Sequence, residues 1–395
     1  MRADLQMGDI LPENQEHAEV ADPEVVVPYD RLPPDAEYWL ALTRLPGVGR
    51  RSFLKLIESY GSPRTAWDHS DREWRDARLV RAGLETQAHR AKAFAWAQQQ
   101  VERLLASQWS MTVFGGLGHP VALASLHAPP PFLFVSGRVP DMPSIAVVGS
   151  RQSTEYGLKA ARDLSGNLAA AGVLVVSGFA RGIDTAAHTA ALDAGGATLA
   201  VWGCGPDTIY PSENKALVAR VTEKGGILTE FPFGTPPEPQ NFPVRNRLIA
   251  GLSAGVLVVQ ARERSGALLT AQHALEQGKD VYAIPGEIGQ PHSAGVNELI
   301  KQGAKIVTCA EDILSDLGLR KAAGPSVLPS ASRPLPPMTT LEGHVYSGLG
   351  GSACHIDRLA VSLNLSAAEC AAVLLTLELK GVVRRSAGNV FSRLV

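Results

Sequence analysis

Short, fully apolar runs alternate with Ala-rich helical stretches through the middle of the chain. The apolar runs are SIAVVGS, VLVVSG, ATLAVWG, GILTEF, GVLVVQA and KDVYAIPG, and stretches such as GLKAARDLSGNLAAAG and TAQHALEQG separate them. Strands that are apolar on both faces are typical of a parallel sheet covered by helices on both sides. We therefore predict an α/β domain over residues 111–318, an extended Rossmann-like doubly wound parallel sheet, with residues 111–140 as the connection into it.

The patterns on either side of this domain predict different structures. Residues 1–32 are acidic and Pro-punctuated, which indicates a disordered or loosely docked tail. Residues 33–110 predict a small N-terminal helical domain, and residues 319–338 a Pro/Ser/Ala linker. Residues 339–395 have the order helix, helix, helix and hairpin, which indicates a C-terminal winged-helix-like domain. Its candidate recognition helix, over residues 367–380, is largely apolar and carries two glutamates, so protein contacts are favoured over direct DNA reading.

Composition narrows the classes of protein that fit this pattern. The 395 residues are 45% hydrophobic with a formal net charge of −2, so an anionic ligand would have to meet a local cluster of Arg and Lys. No apolar run is long enough to cross a bilayer, and the acidic start lacks the plan of a signal peptide. Four scattered cysteines fit reduced, mostly buried thiols. We therefore expect a cytoplasmic protein with no membrane partner.

Glycine and small polar residues follow three consecutive predicted strands. The carboxyl ends of parallel strands meet at one edge of the sheet, where open α/β sheets bind their ligands. Backbone N–H groups there, with an arginine beside them, can bind phosphate. A tight turn would explain any one of these glycines alone, and Asp184 is predicted to cap the following helix. The candidate phosphate-binding residues at these ends are Gly149, Ser150, Arg151, Ser177, Gly178, Arg181, Gly203 and Gly205.

Two later segments lead to the same edge. NFPVRNR is predicted to be a loop between two strands. Its aromatic ring beside two arginines suits base stacking with phosphate binding, and ordinary solvated arginines are the alternative interpretation. The loop-to-helix start RERSGALLT could also receive phosphate. The candidates from these segments are Phe242, Arg245, Asn246, Arg247, Arg262, Arg264, Ser265, Gly266 and Thr270.

Enzymatic interpretations lack the residues that they require. No G-x-G-x-x-G fingerprint follows the first strand, so no nicotinamide or flavin cofactor is expected. His344, Cys354 and His355 do not have the spacing of a zinc site, and no metal is predicted. We therefore predict a protein that is not an enzyme.

Seven ordered motifs resemble the DNA-processing protein A (DprA/Smf) family. They are GSR, SGFARGID, GCGPDTIYPSEN, TEFPFG, NFPVRNRLIAGL, SGALLTAQHALEQGKDVYAIPG and GVNELIKQGA, and they span about residues 140–317. The resemblance implies an extended Rossmann fold that binds and protects single-stranded DNA and loads the RecA recombinase in natural transformation and recombination. It also implies phosphate contacts from Arg151, Lys215, Arg245 and Arg247.

The same resemblance extends to the other parts of the chain. It implies a sterile-alpha-motif-like N-terminal bundle, in which LPGVG resembles a helix-hairpin-helix turn. It also implies a homodimer with an apolar seam at Leu299, Ile300 and Ile306. Gln260 is a departure, since the family pattern more often places Glu there, and this argues against a carboxylate role at that position.

Nucleotide phosphoribohydrolases share this Rossmann variant and are the alternative function. They carry a P-G-G-x-G-T run followed directly by a catalytic Glu. The most similar stretch here is SGALLTAQH, residues 265–273, and no carboxylate directly follows its Thr270, so the group that would activate water is missing. A structural scaffold for recombination proteins, without affinity for DNA, is a third alternative.

Overall fold

The computed structural model describes residues 31–80, 87–319, 336–350, 354–386 and 388–393. Residues 1–30 of the predicted N-terminal tail and residues 320–335 of the predicted linker lie outside these ranges. The helices are α1 (Ala36–Leu42), α2 (Arg50–Tyr60), α3 (Pro63–Asp68), α4 (Asp71–Asp76), α5 (Gln87–Leu105), α6 (Val121–Ala124), α7 (Glu155–Ala170), α8 (Ile183–Asp193), α9 (Lys215–Lys224), α10 (Asn241–Gly251), α11 (Gly266–Glu276), α12 (Ala294–Lys301), α13 (Ala310–Asp316), α14 (Thr340–Gly348), α15 (Ile356–Leu363) and α16 (Ala367–Leu379).

The strands form one large sheet and one small sheet. The large sheet comprises β1 (Ser110–Val113), β2 (Phe132–Gly137), β3 (Ser144–Val148), β4 (Leu174–Ser177), β5 (Thr198–Val201), β6 (Gly226–Thr229), β7 (Gly255–Val258), β8 (Asp280–Ala283) and β9 (Lys305–Ile306). The small sheet comprises β10 (Cys354–His355), β11 (Val383–Ser386) and β12 (Val390–Arg393).

The six predicted apolar strands are confirmed as β3 to β8, and they pair in parallel. The full order is β1-β2-β6-β5-β4-β3-β7-β8-β9. The segment predicted as a connection instead contributes two antiparallel strands, because β2 pairs with β6 and β1 with β2. The chain winds outward from β3 in one direction and then resumes at β7 in the other, so the strand order reverses between these two strands. Open α/β sheets have a crevice at the carboxyl ends of such a pair.

The sheet is buried on both faces because its side chains alternate between them. Ile145 and Val147 of β3 point to one face and pack with α7, α8 and α13. Ala146 and Val148 point to the other face and pack with α10 and α11. This period of two places an apolar residue at every position of the strand and explains the continuous apolar runs of the sequence.

The N-terminal helices share a core with the sheet. Trp39 and Phe53 belong to the same buried cluster as Trp202 and Phe233, and the rings of Trp109 and Trp202 lie 5.5 Å apart. Two ion pairs add to this contact: the Arg50 guanidinium lies 2.9 Å from Glu230, and the Arg103 guanidinium 3.1 Å from Asp207. The N-terminal helices therefore pack against the sheet near the carboxyl ends of β5 and β6.

The C-terminal residues confirm the predicted order of three helices and a hairpin. β11 and β12 pair antiparallel, and β10 adds a third short strand. Val345, Leu374 and Phe391 are in the core of this unit. In the part of the chain that is described, no single helix is long and apolar enough to span a membrane. The pair α15–α16, bent by 111°, meets that test by length and composition alone.

A phosphate-binding candidate at the carboxyl edge of the sheet

A cavity of about 720 Å³ opens where the strand order reverses. Its wall includes the end of β3, the start of α8, the N-terminal half of α10 and the start of α11. Of the predicted phosphate-binding residues, the cavity brings together Gly149, Ser150, Arg151, Arg181, Phe242, Arg245, Asn246, Arg262, Arg264, Ser265, Gly266 and Thr270. The sheet edge predicted from the strand-end glycines is therefore the place where these side chains meet.

Two exposed arginines of the cavity form no ion pair among the described residues. Arg151 and Arg264 are exposed at its wall, and among the described residues neither guanidinium is paired with a carboxylate. Arg262 is hydrogen-bonded to a histidine, with its Nη2 atom 3.1 Å from His292 Nε2. Arg181 differs, because its guanidinium lies 2.7 Å from Glu213. The net positive charge of the cavity therefore comes mainly from Arg151, Arg262 and Arg264.

An aromatic pair lies beside these arginines. The ring centroids of Tyr210 and Phe242 are 5.7 Å apart, with an angle of 37° between the ring planes. The Arg151 guanidinium is 4.7 Å from the centroid of the Phe242 ring, and the Arg181 guanidinium 5.9 Å from that of Tyr210. Cations and aromatic rings thus alternate along the cavity wall, and flat π-systems stack on both kinds of group.

Arg245 is part of the scaffold beneath the cavity. Its side chain is only 3% exposed. The Nη1 atom donates to the carbonyl oxygens of Gly178, at 2.6 Å, and Val201. Burial lowers the pKa of this guanidinium to about 10, while the nearby Asp184 carboxylate acts in the opposite direction. The predicted phosphate contact from Arg245 is therefore corrected: the guanidinium holds the ends of β4 and β5 together.

Asp184 occupies the backbone groups that were predicted to bind phosphate. Its Oδ2 atom accepts hydrogen bonds from the N–H groups of Gly178, at 3.1 Å, and Ala180, at 3.3 Å. Gly182, not Asp184, is the N-cap of α8, so the predicted helix cap is wrong. Burial raises the pKa of this carboxyl to about 6, against the effect of Arg245 and the two amides.

Arg247 lies on the other side of α10. The segment NFPVRNR is helical, not a loop. Residues two positions apart in an α-helix, such as Arg245 and Arg247, differ by about 200° in direction around the helix axis. Arg247 therefore points away from the cavity and forms an ion pair with Glu230 and a hydrogen bond of 2.9 Å to the Ala128 carbonyl. Its predicted phosphate contact is corrected accordingly.

Several other predicted residues have structural roles or lie outside the cavity. The Ser177 hydroxyl is fully buried and donates to the Val147 carbonyl at 2.6 Å. A Cβ atom on Gly203 would lie 2.9 Å from the Phe242 ring, and one on Gly205 would overlap the Pro232 carbonyl. Lys215 is exposed at the first position of α9, and its side chain is not part of the cavity wall.

Other features of the wall were not predicted from the sequence. Gln152 and Leu269 line the cavity, although no motif marked them.

Gln260 links β7 to the start of α7: its Oε1 accepts from the Thr154 N–H and its Nε2 donates to the Thr154 hydroxyl, both at 3.0 Å. An ionised carboxylate could not donate the second bond. The amide at this position therefore fits a structural role.

Residues 110–318 match the family model of DNA recombination-mediator protein A, and residues 329–389 match the DprA winged helix domain. This chain belongs to the DprA/Smf family. The cavity lies within the larger of the two matched segments. DprA is a family of DNA-processing, recombination-mediator proteins, and this agrees with a site that offers cations and aromatic rings.

Individual relatives agree with the family assignment. The chain is 50% identical over 202 residues to protein Smf of Escherichia coli, which covers 50% of this chain and 54% of that protein. It is 32% identical over 303 residues to protein Smf of Synechocystis, covering 71% of this chain and 72% of that one. The X-ray structure of DprA from Streptococcus pneumoniae superposes with a TM-score of 0.60 at 34% identity, covering 71% of this chain and 96% of that chain. The chain thus spans about half the length of the E. coli relative.

Proposed function

We propose that this protein binds single-stranded DNA in the cavity at the sheet edge and does so without regard to base sequence. The observation that carries the proposal is the Arg151 guanidinium, which lies over the Phe242 ring, 4.7 Å from its centroid, and pairs with no carboxylate in the described part of the chain. The arginine binds a phosphate, and the ring stacks on the adjoining base. Charges and aromatic faces accept any base, because every base has a π-face.

The charge distribution supports a local interaction with phosphate. The chain as a whole carries a net charge of −2, so its overall field does not attract DNA. The positive charge is concentrated in Arg151, Arg262 and Arg264 at the cavity wall. Binding by such a cluster displaces counterions, and the affinity therefore falls steeply as the salt concentration rises.

Preference for single strands follows from the position of the aromatic pair. Tyr210 and Phe242 line the cavity and are both half-buried. A base that is stacked and paired within a duplex cannot bring its face to a ring at such a depth, whereas an unpaired base can.

Catalysis of nucleotide hydrolysis is not part of this proposal. Asp184 is the carboxylate among the residues that line the cavity, and its Oδ2 atom already accepts two backbone hydrogen bonds beneath the wall. A carboxylate that is held in this way is poorly placed to activate water. We expect no base to be released when the protein is incubated with nucleoside monophosphates.

Phe242→Leu provides the test of this function. We expect the variant to lose about 1–3 kcal/mol of binding free energy for a labelled single-stranded oligonucleotide, because base stacking is removed. The salt dependence is unchanged, since no charge is lost. The measurement is fluorescence anisotropy with single-stranded and duplex competitors, and Phe114→Leu, which lies outside the cavity, is the control. Wild-type affinity in Phe242→Leu, or equal competition by duplex, would contradict the proposal.

We also propose that the bound strand is passed to the RecA recombinase in recombination and natural transformation. The family's description as a recombination mediator supports this role. The test is the rate at which RecA assembles on single strands coated with single-strand-binding protein. We expect wild type to accelerate assembly and Phe242→Leu to do so less, and no acceleration by wild type would contradict the role.

The proposal includes a homodimer with a narrower seam than the sequence predicted. Leu299 is 9% exposed and packs in the core of its own subunit, and Ile300 packs partly against that core. Ile306 is 54% exposed on the edge strand β9. We expect Ile306→Glu to shift the sedimentation coefficient to that of a monomer, because a charge on this edge opposes burial. Val121→Glu, at an exposed apolar residue of α6, is the matched control. If Ile306→Glu is still a dimer, Ile306 is not part of the dimer interface.

A further inference from the structure

A threonine with an unused hydroxyl lies at the base of the cavity. Thr270 is only 1% exposed, yet it belongs to the cavity wall. Among the described residues its hydroxyl has no hydrogen-bond partner, and it is not one of the polar atoms sealed from solvent. A buried hydroxyl without a partner is unfavourable for folding. Its small exposed area faces the cavity, where a ligand could accept its hydrogen bond.

The start of α11 lies about one helical turn before Thr270 in the same helix. Gly266 is the first residue of this 11-residue helix, and a Cβ atom added to it would meet no atom within 4 Å. The Ser265 side chain accepts from the Ala267 N–H. Asn246 donates to the Gly266 carbonyl at 3.2 Å, which fixes the helix start to α10. The Gly266 N–H has no backbone partner among the described residues, so it remains available at the positive end of the helix.

These groups match a phosphate monoester better than a phosphodiester. A monoester carries close to two charges and three terminal oxygens, whereas a diester carries one charge and two such oxygens. The site offers the Thr270 hydroxyl, the Gly266 N–H and the unpaired guanidinium of Arg264. A phosphate between two sugars cannot reach a hydroxyl that is 1% exposed, because both substituents must leave the pocket. A phosphate with a single substituent can reach it.

We propose that the start of α11 is a binding site for a phosphate monoester, supplied by the phosphorylated end of a DNA strand. This inference rests on the proposed function, since the strand that ends here is the one held along Arg151 and Phe242. The shared chemistry is that of any terminal phosphate, so a free nucleoside monophosphate is the other source.

The test compares competitors against a labelled single-stranded oligonucleotide bound to the full-length protein. The competitors are one oligonucleotide sequence with a 5′-phosphate, a 3′-phosphate or hydroxyls at both ends, a circular single strand, and dAMP. We expect one phosphorylated form to compete about tenfold better than the hydroxyl form, as befits additional charge-assisted hydrogen bonds. Competition by dAMP without any effect of the oligonucleotide's end would assign the site to the free nucleotide.

The variants Thr270→Val and Thr270→Ser distinguish phosphate binding by the Thr270 hydroxyl from a purely structural role of this residue. Valine has the shape of threonine without its hydroxyl, so we expect Thr270→Val to lose the preference for a phosphorylated end while still binding the circular strand. Its melting temperature stays equal or rises, because an unpaired buried hydroxyl is removed. Thr270→Ser retains the preference. Thr198→Val is the matched control: its hydroxyl donates to the Val175 carbonyl at 2.6 Å, so this variant is less stable and keeps the preference.

The outcomes of the two proposals are distinguishable. Equal competition by phosphorylated, hydroxyl and circular strands, with none by dAMP, overturns the monoester site and leaves single-strand binding intact. No binding of any oligonucleotide overturns the proposed function itself. An unchanged preference in Thr270→Val overturns the role of this hydroxyl.

Discussion

Replacing Arg151 and Arg264 together by glutamine weakens single-strand binding by about two orders of magnitude at low salt. Each charge-assisted hydrogen bond to phosphate contributes roughly 1.5 kcal/mol, and a loss of 1.4 kcal/mol is about tenfold in affinity. Both side chains are exposed at the cavity wall and unpaired with carboxylates in the described structure, so the fold does not depend on their charge. We expect the melting temperature of the double variant to match that of wild type.

The salt dependence provides an independent measure of the same loss. For single strands, the logarithmic slope of affinity against salt changes by roughly 0.7 for each phosphate that is neutralised. The double variant should therefore have a slope shallower by about 1.4. Arg162→Gln with Arg220→Gln is the control, because it removes two exposed arginines outside the cavity. An equal loss of affinity in that control would show that general charge, and not the cavity, binds the DNA.

The second large effect is on stability: Arg245→Met lowers the free energy of unfolding by about 3–5 kcal/mol, the cost of removing one member of a buried charged pair. The change leaves the carbonyls of Gly178 and Val201 without their donor. It also removes the positive charge that acts most strongly on the Asp184 carboxylate. Urea denaturation monitored by tryptophan fluorescence measures the loss.

A second substitution identifies the origin of the loss of stability in Arg245→Met. In Asp184→Asn with Arg245→Met, the uncompensated carboxylate is removed as well, so we expect the double variant to be more stable than the sum of the two single effects. Arg264→Met is the matched control, since it removes an exposed guanidinium of the same cavity, and we expect its stability to match that of wild type. If Arg245→Met proves as stable as wild type but binds DNA poorly, Arg245 is a ligand-binding residue and not part of the scaffold.

The two arginines of NFPVRNR illustrate how far a motif determines function. The sequence shows an aromatic residue and two basic residues near a strand end, and it correctly predicts that this segment borders the cavity. Its helical conformation turns Arg245 inward and Arg247 toward Glu230. Neither guanidinium is then free for phosphate, although both are conventional candidates. The arginines of the cavity that form no ion pair with a carboxylate among the described residues are Arg151, Arg262 and Arg264.

The sequence by itself determined the six parallel strands, the small glycine-rich turns at their carboxyl ends and the order of the winged-helix elements. These features depend on neighbours in the chain, namely the alternation of apolar side chains and the conformational needs of a turn. The antiparallel pair β1–β2 was missed, because its pairing partner β6 lies about a hundred residues further along the chain.

Only the tertiary structure decided which polar groups are available to a ligand. Arg247 is paired with Glu230, and Arg181 is paired with Glu213. The backbone N–H of Gly178 donates its hydrogen bond to Asp184. The Thr270 hydroxyl, in contrast, has no hydrogen-bond partner among the described residues. The reason is that a charge or a hydrogen bond is satisfied by whichever group the fold brings within about 3 Å, and that partner can come from any part of the chain.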